Sequence, residues 1–266
     1  MNPLVCVINA NARCASYVQP LLDTCWAPPS MPNLATTCLG DTLCLPEDIT
    51  LPGENFLCTY ALTKQIERDL MLQMPANHSF VDVGAHNGDT VLAMALQARK
   101  QLRHDIRFFA FEPDATKAHY IQTVANLNKL NVSVFALAIG DVAQSVQSTG
   151  DVPIQSGAVA YKAAVDGGVQ MQPLDVFFEA IHPVGHLHLD VEGWESKVIN
   201  GAQCVLQSTK ACSLLAEAWN PACAHKRGFS ETPLEDIARA LRKHPHLTKR
   251  GCIHNAHRVH ALHCAK

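Results

Sequence analysis

The chain has no apolar run that could cross a bilayer. A spanning helix needs roughly 18 or more such residues, and no stretch of the 266 approaches that length. Stable membrane insertion is therefore not expected. Charge of one sign is also scarce: 21 Lys and Arg against 24 Asp and Glu leave a net −3. Bulk attraction to nucleic acid or to an anionic surface is not indicated. The opening residues, MNPLVCVINANARC, lack the basic and long apolar regions of a secretory leader. A cytoplasmic protein is the expectation. No C-x-x-C occurs, which leaves a zinc ribbon or a redox pair without support. G-x-G-x-x-G, the dinucleotide fingerprint, is missing too.

What is present is globular in composition, with 48% apolar and 17% charged residues. The length suits one α/β domain with a large core. Cysteine is plentiful, odd in number and unevenly placed. Of 11, six fall within the first 58 residues, and none lies between Cys58 and Cys204. Without a leader, reduced buried thiols are expected. Seven prolines share the first 54 residues with them. That segment reads as a Cys/Pro-rich N-terminal extension, residues 1–54, which packs on the main domain or stays partly disordered. Residues 55–266 read as the main domain.

The domain is organised around Phe80 to Gly88, FVDVGAHNG. An apolar run closes on Gly84, and Thr90 to Arg99 then has helical spacing. Strand, glycine turn and helix place backbone N–H groups at the carboxyl end of a strand, where open α/β sheets bind ligands. Gly84 allows positive φ and removes bulk where a ligand must approach. The glycine pair is Gly84 and Gly88, with Ala85 and Asn87 between. Asp82 precedes it, and no Lys or Arg stands in the turn. The next apolar run, Ile106 to Phe111, ends in Glu112 and Pro113, near the distance at which an acid reaches ribose hydroxyls. Two acids and no phosphate-binding cation suit a cationic nucleoside. S-adenosylmethionine, with its sulfonium, amino group and ribose, fits.

Elsewhere the pattern alternates helix and strand. Tyr60 to Met74 reads as an amphipathic helix, with Leu62, Ile66, Asp69, Leu70 and Gln73 on an imperfect core face. Asp114 can cap a helix that runs to Lys129. Asn131 to Ala138 alternates as a strand. Residues 139–170 read as a long loop or weak hairpin. Leu174 to Ala180 is a short helix, His186 to Val191 a strand, and Trp194 to Leu206 a helix. Ala211 to Ala218 is a strand ending at Glu217, and Pro233 to Lys243 a helix. Leu247 to Cys252 and Arg258 to Cys264 read as two closing strands around His254-Asn255.

DVGAHNGDT, FAFEPD, NLNKLNV, ALAIGD, QPLD and LDVEGWESKVINGA occur in one order. As a set they resemble the FkbM family of S-adenosylmethionine-dependent methyltransferases, over about residues 55 to 220. The resemblance implies a class I methyltransferase fold: a Rossmann-like, seven-stranded, mostly parallel sheet with helices on both faces and a C-terminal antiparallel hairpin. It also implies O-methylation of a hydroxyl, on a carbohydrate or small molecule. N-methylation of a protein or amine, or a non-catalytic partner protein that keeps the fold, are the alternatives.

Methyl transfer to a hydroxyl needs a positioned acceptor and a base. Asp190 and Glu192, at the end of HLHLDVEG, are the base candidates. His188 joins them, since His186, His188 and Asp190 share one face of a strand and a neutral imidazole can take a proton. Relatives often carry Lys at this position. Asp82, Gly84, Ala85, Asn87, Gly88, Glu112 and Pro113 are the expected cofactor contacts. Ala138 and Asp141 are expected beside the adenine. Glu217 is placed near the acceptor. The C-terminal histidines (His254, His257, His260, His263) recur at spacing three, which alternates faces in a strand, so no metal is expected there.

Overall fold

The computed structural model describes residues 33–37, 39–46, 61–148, 161–163, 168–208, 213–216, 233–244 and 253–255. The main sheet uses strands β3 (Ser79–Val83), β4 (Arg107–Phe111), β5 (Val132–Phe135), β10 (Val184–Leu189), β11 (Ser213–Ala216) and β12 (Ile253–Asn255). Their order is β12-β11-β10-β3-β4-β5, and every neighbouring pair is parallel. Parallel strands need crossovers, and helices supply them. α2 (Asp89–Lys100) joins β3 to β4, and α3 (Ala115–Leu127) joins β4 to β5. The direction of winding reverses between β3 and β10. That is the switch point where a crevice opens at the carboxyl ends. This is a class I methyltransferase-like fold. The expected seventh strand and hairpin fall largely outside the described residues. His254 and Asn255, read as a turn, lie within β12 instead.

Burial explains why β3 and β10 sit at the centre. All five residues of SFVDV and all six of VGHLHL are buried, as expected of strands covered on both faces. One core cluster joins Phe80, Phe108, Ala110 and Val132 to Met71 of helix α1 (Ala61–Leu72) and to α2 and α3. The other joins Val81, Val83, Phe111, Leu187 and Leu189 to α5 (Glu195–Asn200), α6 (Gln203–Ser208) and α7 (Pro233–Leu241). Trp194 to Leu206, read as one helix, is therefore two, broken around Gly201 and Ala202. Gly201 lies so close to the Gly140 carbonyl that a Cβ there would overlap it.

Residues 139–170 carry more order than a loop. Strands β6 (Ala138–Gly140), β7 (Gln144–Ser148), β8 (Tyr161–Ala163) and β9 (Val169–Pro173) form a second sheet in the order β6-β9-β7-β8. A 3-10 turn (Leu174–Phe177) and α4 (Phe178–Ile181) follow. Asp114 caps α3 as read, accepting from the Thr116 and Lys117 amides.

The described part of the N-terminal extension is an antiparallel pair, β1 (Asn33–Thr36) and β2 (Thr42–Leu45). It is held to α3 by one side chain. Asn128 Oδ1 accepts from the Cys44 amide at 2.8 Å, and Asn128 Nδ2 donates to the Cys44 and Val124 carbonyls, each at 2.8 Å. Asp41 adds a pair with Lys100 and a bond from Gln97. Cys44 is disulfide-bonded, which corrects the expectation of reduced thiols throughout and is uncommon in a reducing compartment. Cys204 is a free, exposed thiol. Among the described residues no helix is long and apolar enough to cross a membrane.

Asn128→Ala removes the side-chain partner of the buried Cys44 amide and carbonyl, while the Val124 carbonyl keeps the backbone amide of residue 128. Each such loss costs about 1–3 kcal/mol. A drop of about 3 kcal/mol in unfolding free energy is expected, read by urea denaturation.

Candidate active site

Parallel strands bring their carboxyl ends to one edge, so Gly84, Glu112 and Asp190 converge although 28 to 106 residues separate them in sequence. The Asp190 amide donates to Val83 O at 3.0 Å, which seats the end of β10 against the glycine turn. Gly84 has φ +85, and a Cβ there would overlap the Asp190 carbonyl. Its missing side chain thus admits β10 as well as any ligand. The Gly84 and Ala85 amides both donate to Phe111 O, at 2.9 and 3.1 Å. Gly88, φ +83, turns the chain into α2. Ala85 and Asn87 are buried in this loop, and Asn87 Nδ2 has no hydrogen-bond partner among the described residues.

Asp82 lies one residue inside the sheet, 1% exposed. Neither of its carboxylate oxygens has a hydrogen-bond partner among the described residues. Burial pushes it up to about 7, even though His188 and Lys64 pull the other way. A buried carboxylate left so is costly unless something pairs with it. Glu112 is better provided for. Its two oxygens accept from the His86 and Asp114 amides at 2.8 and 2.9 Å, tying the glycine loop to the start of α3. Burial still raises it to about 7. Each oxygen keeps a second lone pair for a ligand hydroxyl. Pro113, half-buried beside it, begins the turn into α3.

Helix α1 lies over this edge, and its inward face is not the one periodicity suggested. Ile66 is 39% exposed, while Lys64 and Glu67 are buried with Met71. The helix is turned so that charge, not Ile66, faces the sheet. Lys64 Nζ donates to Thr90 Oγ1 and stands 3.3 Å from Asp89 and 3.9 Å from Glu67. Burial alone would lower it, but Asp89, Glu67, Asp82 and Asp190 together raise it. Glu67 Oε1 is 2.6 Å from His188 Nδ1 and 3.4 Å from His186 Nε2. The contact with His188 is out of line for a good hydrogen bond, so charge is its main content. Burial would raise Glu67, yet His188 and Lys64 hold it well below the usual carboxylate range. Burial would lower His188, yet Glu67 and Asp82 raise it to about 9. An imidazole protonated on both nitrogens has no lone pair left with which to act as a base. Lys64 and Glu67 were missed because charged residues in a helix normally signal solvent.

The loop after β10 has its own support. Glu195, 1% exposed, accepts from the Val191 and Gly193 amides at 3.1 and 3.2 Å, and burial raises it to about 8. Glu192, half-buried, stands at φ +55 beside Gly193 at φ +99. On the far side Ala138 is buried in β6, while Asp141 pairs with Lys197 of α5 at 3.4 Å. Asp141 is thus engaged by a helix and not by the glycine loop. Glu217 and His254 to His263 lie outside the residues whose side chains are described.

A glycine loop and buried acids meet here at the switch point, the place where open α/β sheets bind their ligands. The Methyltransferase FkbM domain matches residues 82–217. The chain belongs to that family and is an S-adenosylmethionine-dependent methyltransferase. Among solved structures it is similar to precorrin-6y C5,15-methyltransferase from Geobacter metallireducens GS-15, at 12% identity and TM-score 0.41, over 73% of this chain and 79% of that one. It is also similar to a SAM dependent methyltransferase from Aquifex aeolicus, at 10% identity and TM-score 0.39, over 72% and 81%. Both likenesses are weak, and nothing below is built on them. No curated protein matches the chain.

Asp82, Glu112, Glu195 and His188 all bind protons more tightly folded than unfolded. Their share of stability is complete below the unfolded values. For the acids it is lost as pH rises toward 7 or 8, and for His188 as pH rises toward 9. Glu67 acts oppositely, its share being lost in acid. Without ligand, the urea midpoint is expected to fall steadily from about pH 5.5 to about pH 9.

Proposed function

We propose that the pocket at the carboxyl ends of β3, β4 and β10 binds S-adenosylmethionine, and that the chain methylates a hydroxyl oxygen of a carbohydrate or small molecule. One observation carries the cofactor assignment. Buried Glu67 and Asp82, with half-buried Asp89 and Asp190, surround Lys64 and His188, so acids outnumber cations, and the Asp82 carboxylate has no hydrogen-bond partner among the described residues. A ligand bearing a sulfonium and an ammonium complements that imbalance. Asn87 and the spare lone pairs of Glu112 suit its polar edges, and buried Ala138 offers an apolar wall.

When bound, S-adenosylmethionine supplies a methyl carbon already activated by its sulfonium. The protein's part is to hold the acceptor in line and to take its proton. Asp190 is the base in this reading. It stands at the strand end beside the Gly84 turn, and Glu192 and Gly193 shape the loop that follows. His188 supplies positive charge and not a lone pair. The acceptor enters over the 190–193 loop, and Glu217 is assigned a contact with it from its place in the sequence alone. Residues 55–266 form the catalytic domain, and residues 1–54 rest on it through the β1–β2 hairpin. The seventh strand and antiparallel hairpin that the family implies belong to the same reading.

Calorimetric titration of the full chain is expected to give micromolar binding of S-adenosylmethionine and none of NAD. Asp82→Ala should weaken that binding by about tenfold or more. Asp190→Asn should keep it, yet lower methyl transfer across a panel of hydroxyl acceptors by about a hundredfold or more. Unchanged binding by Asp82→Ala, or full turnover by Asp190→Asn, would overturn the assignment of that residue.

A further inference from the structure

The least explained groups in the structure are Glu67 and the two histidines it meets. Glu67 lies outside the residues that the family matches. Glu67 reaches from α1 to β10 with no exposed surface. His186 is fixed from two sides: its Nδ1 is 2.7 Å from Ser213 Oγ, and its ring stacks on Phe80 at 4.7 Å. His188 follows two residues on, on the same face, and pairs in register with Asp82 of β3. So Glu67, His188 and Asp82 form a row that runs from the helix across the sheet to the cofactor loop.

We propose that Glu67 is a positioning residue of this pocket: it holds the His188 imidazole as a cation, and that cation keeps Asp82 available as a carboxylate for the positively charged end of the cofactor. The groups that face His188 are few. From α1 they are Glu67 and Lys64, from β3 Asp82, and from its own strand His186 and Asp190. Its register neighbour on β11 is apolar Leu215. Acids therefore outnumber cations around the ring, and a proton on both ring nitrogens is the cheapest way to restore balance. Without that charge, burial would drive Asp82 further toward its neutral form, and a neutral acid cannot pair with an ammonium. The positive charge is thus supplied by an imidazole that needs an acid beneath it to stay charged.

Glu67, His186 and His188 also have donor atoms within 4.8 Å of one another, close enough to invite a divalent metal. Two distances favour a proton. Ligands about 2.0 Å from one tetrahedral zinc stand roughly 3 Å or more apart, and Glu67 and His188 are 2.6 Å apart. The Lys64 ammonium is also 3.9 Å from the other Glu67 oxygen, where a second cation would be repelled.

The inference rests on reading the pocket as the cofactor site, but its first test does not use the cofactor. Nitrogen-15 NMR of the histidine rings in the full chain should show His188 protonated on both nitrogens through neutral pH. Glu67→Gln, which keeps the shape and removes the charge, should lower its titration midpoint by about one pH unit or more. In the second test, His188→Gln should weaken S-adenosylmethionine binding at neutral pH by about tenfold and move its pH dependence upward. His188→Lys, which restores the cation, should bind within about threefold of the parent. A His188 that titrates in the ordinary histidine range in the unaltered chain would overturn the proposal, whether or not any variant folds. So would one equivalent of zinc or manganese in the purified protein, or equal binding by the Gln and Lys variants. Failure of the unaltered chain to bind S-adenosylmethionine would instead remove the pocket reading, while the ring titration still decides the pairing of Glu67 with His188.

Discussion

A cluster of buried charge between α1 and the centre of the sheet sets the terms for the rest of the structure. Lys64, Glu67, Asp82 and His188 are each buried. Isolated, any one of them would cost several kcal/mol. Together they neutralise one another only if α1 is held in one rotation over β3 and β10. That requirement fixes the helix, and the helix closes one face of the pocket. The residual negative charge then turns toward the glycine loop, where it can be met only by a proton or by a positively charged ligand. Structure and ligand preference come from the same unbalanced account of charge.

The chemistry at the edge follows from parallel pairing. All six strands end on the same side, so the glycine turn, Glu112 and Asp190 meet without any one of them being near another in sequence. Each is locked by backbone bonds made by its neighbours: Phe111 O takes two amides of the glycine turn, Glu112 takes one amide from that turn and one from the next helix, and Glu195 takes two from the loop after Asp190. The acids that hold these amides are buried and lean toward their neutral forms. A rigid rim of this kind suits a reaction in which the protein chiefly aligns two groups.

How much could be read beforehand depended on whether a residue obeys its usual rule. The glycine loop was legible because glycine takes the positive φ seen at Gly84 and Gly88 without steric cost. Strands β3, β4 and β10 were legible as short apolar runs, and Asp114 as a cap. The inward face of α1 was not, because periodicity assigns apolar residues to the core, and here Ile66 stays outside while Lys64 and Glu67 go in. Glu195 was not singled out, since which acid caps a loop depends on the loop's fold. His188 was read as a base from its residue type alone, because the acids beside it, one from a helix more than 100 residues earlier, are brought to the ring only by the fold. The second sheet was missed because Gln, Ser and Gly strands carry little alternation to detect.

The central claim is that this crevice receives the cofactor, and a crystal structure of the full chain grown with S-adenosylhomocysteine tests it most directly. The account predicts the nucleoside between the Gly84–Gly88 loop and Glu112, with the amino acid end toward Asp82. Clear density for the molecule at any other edge of the sheet, with Asp82 still unpaired, would contradict it.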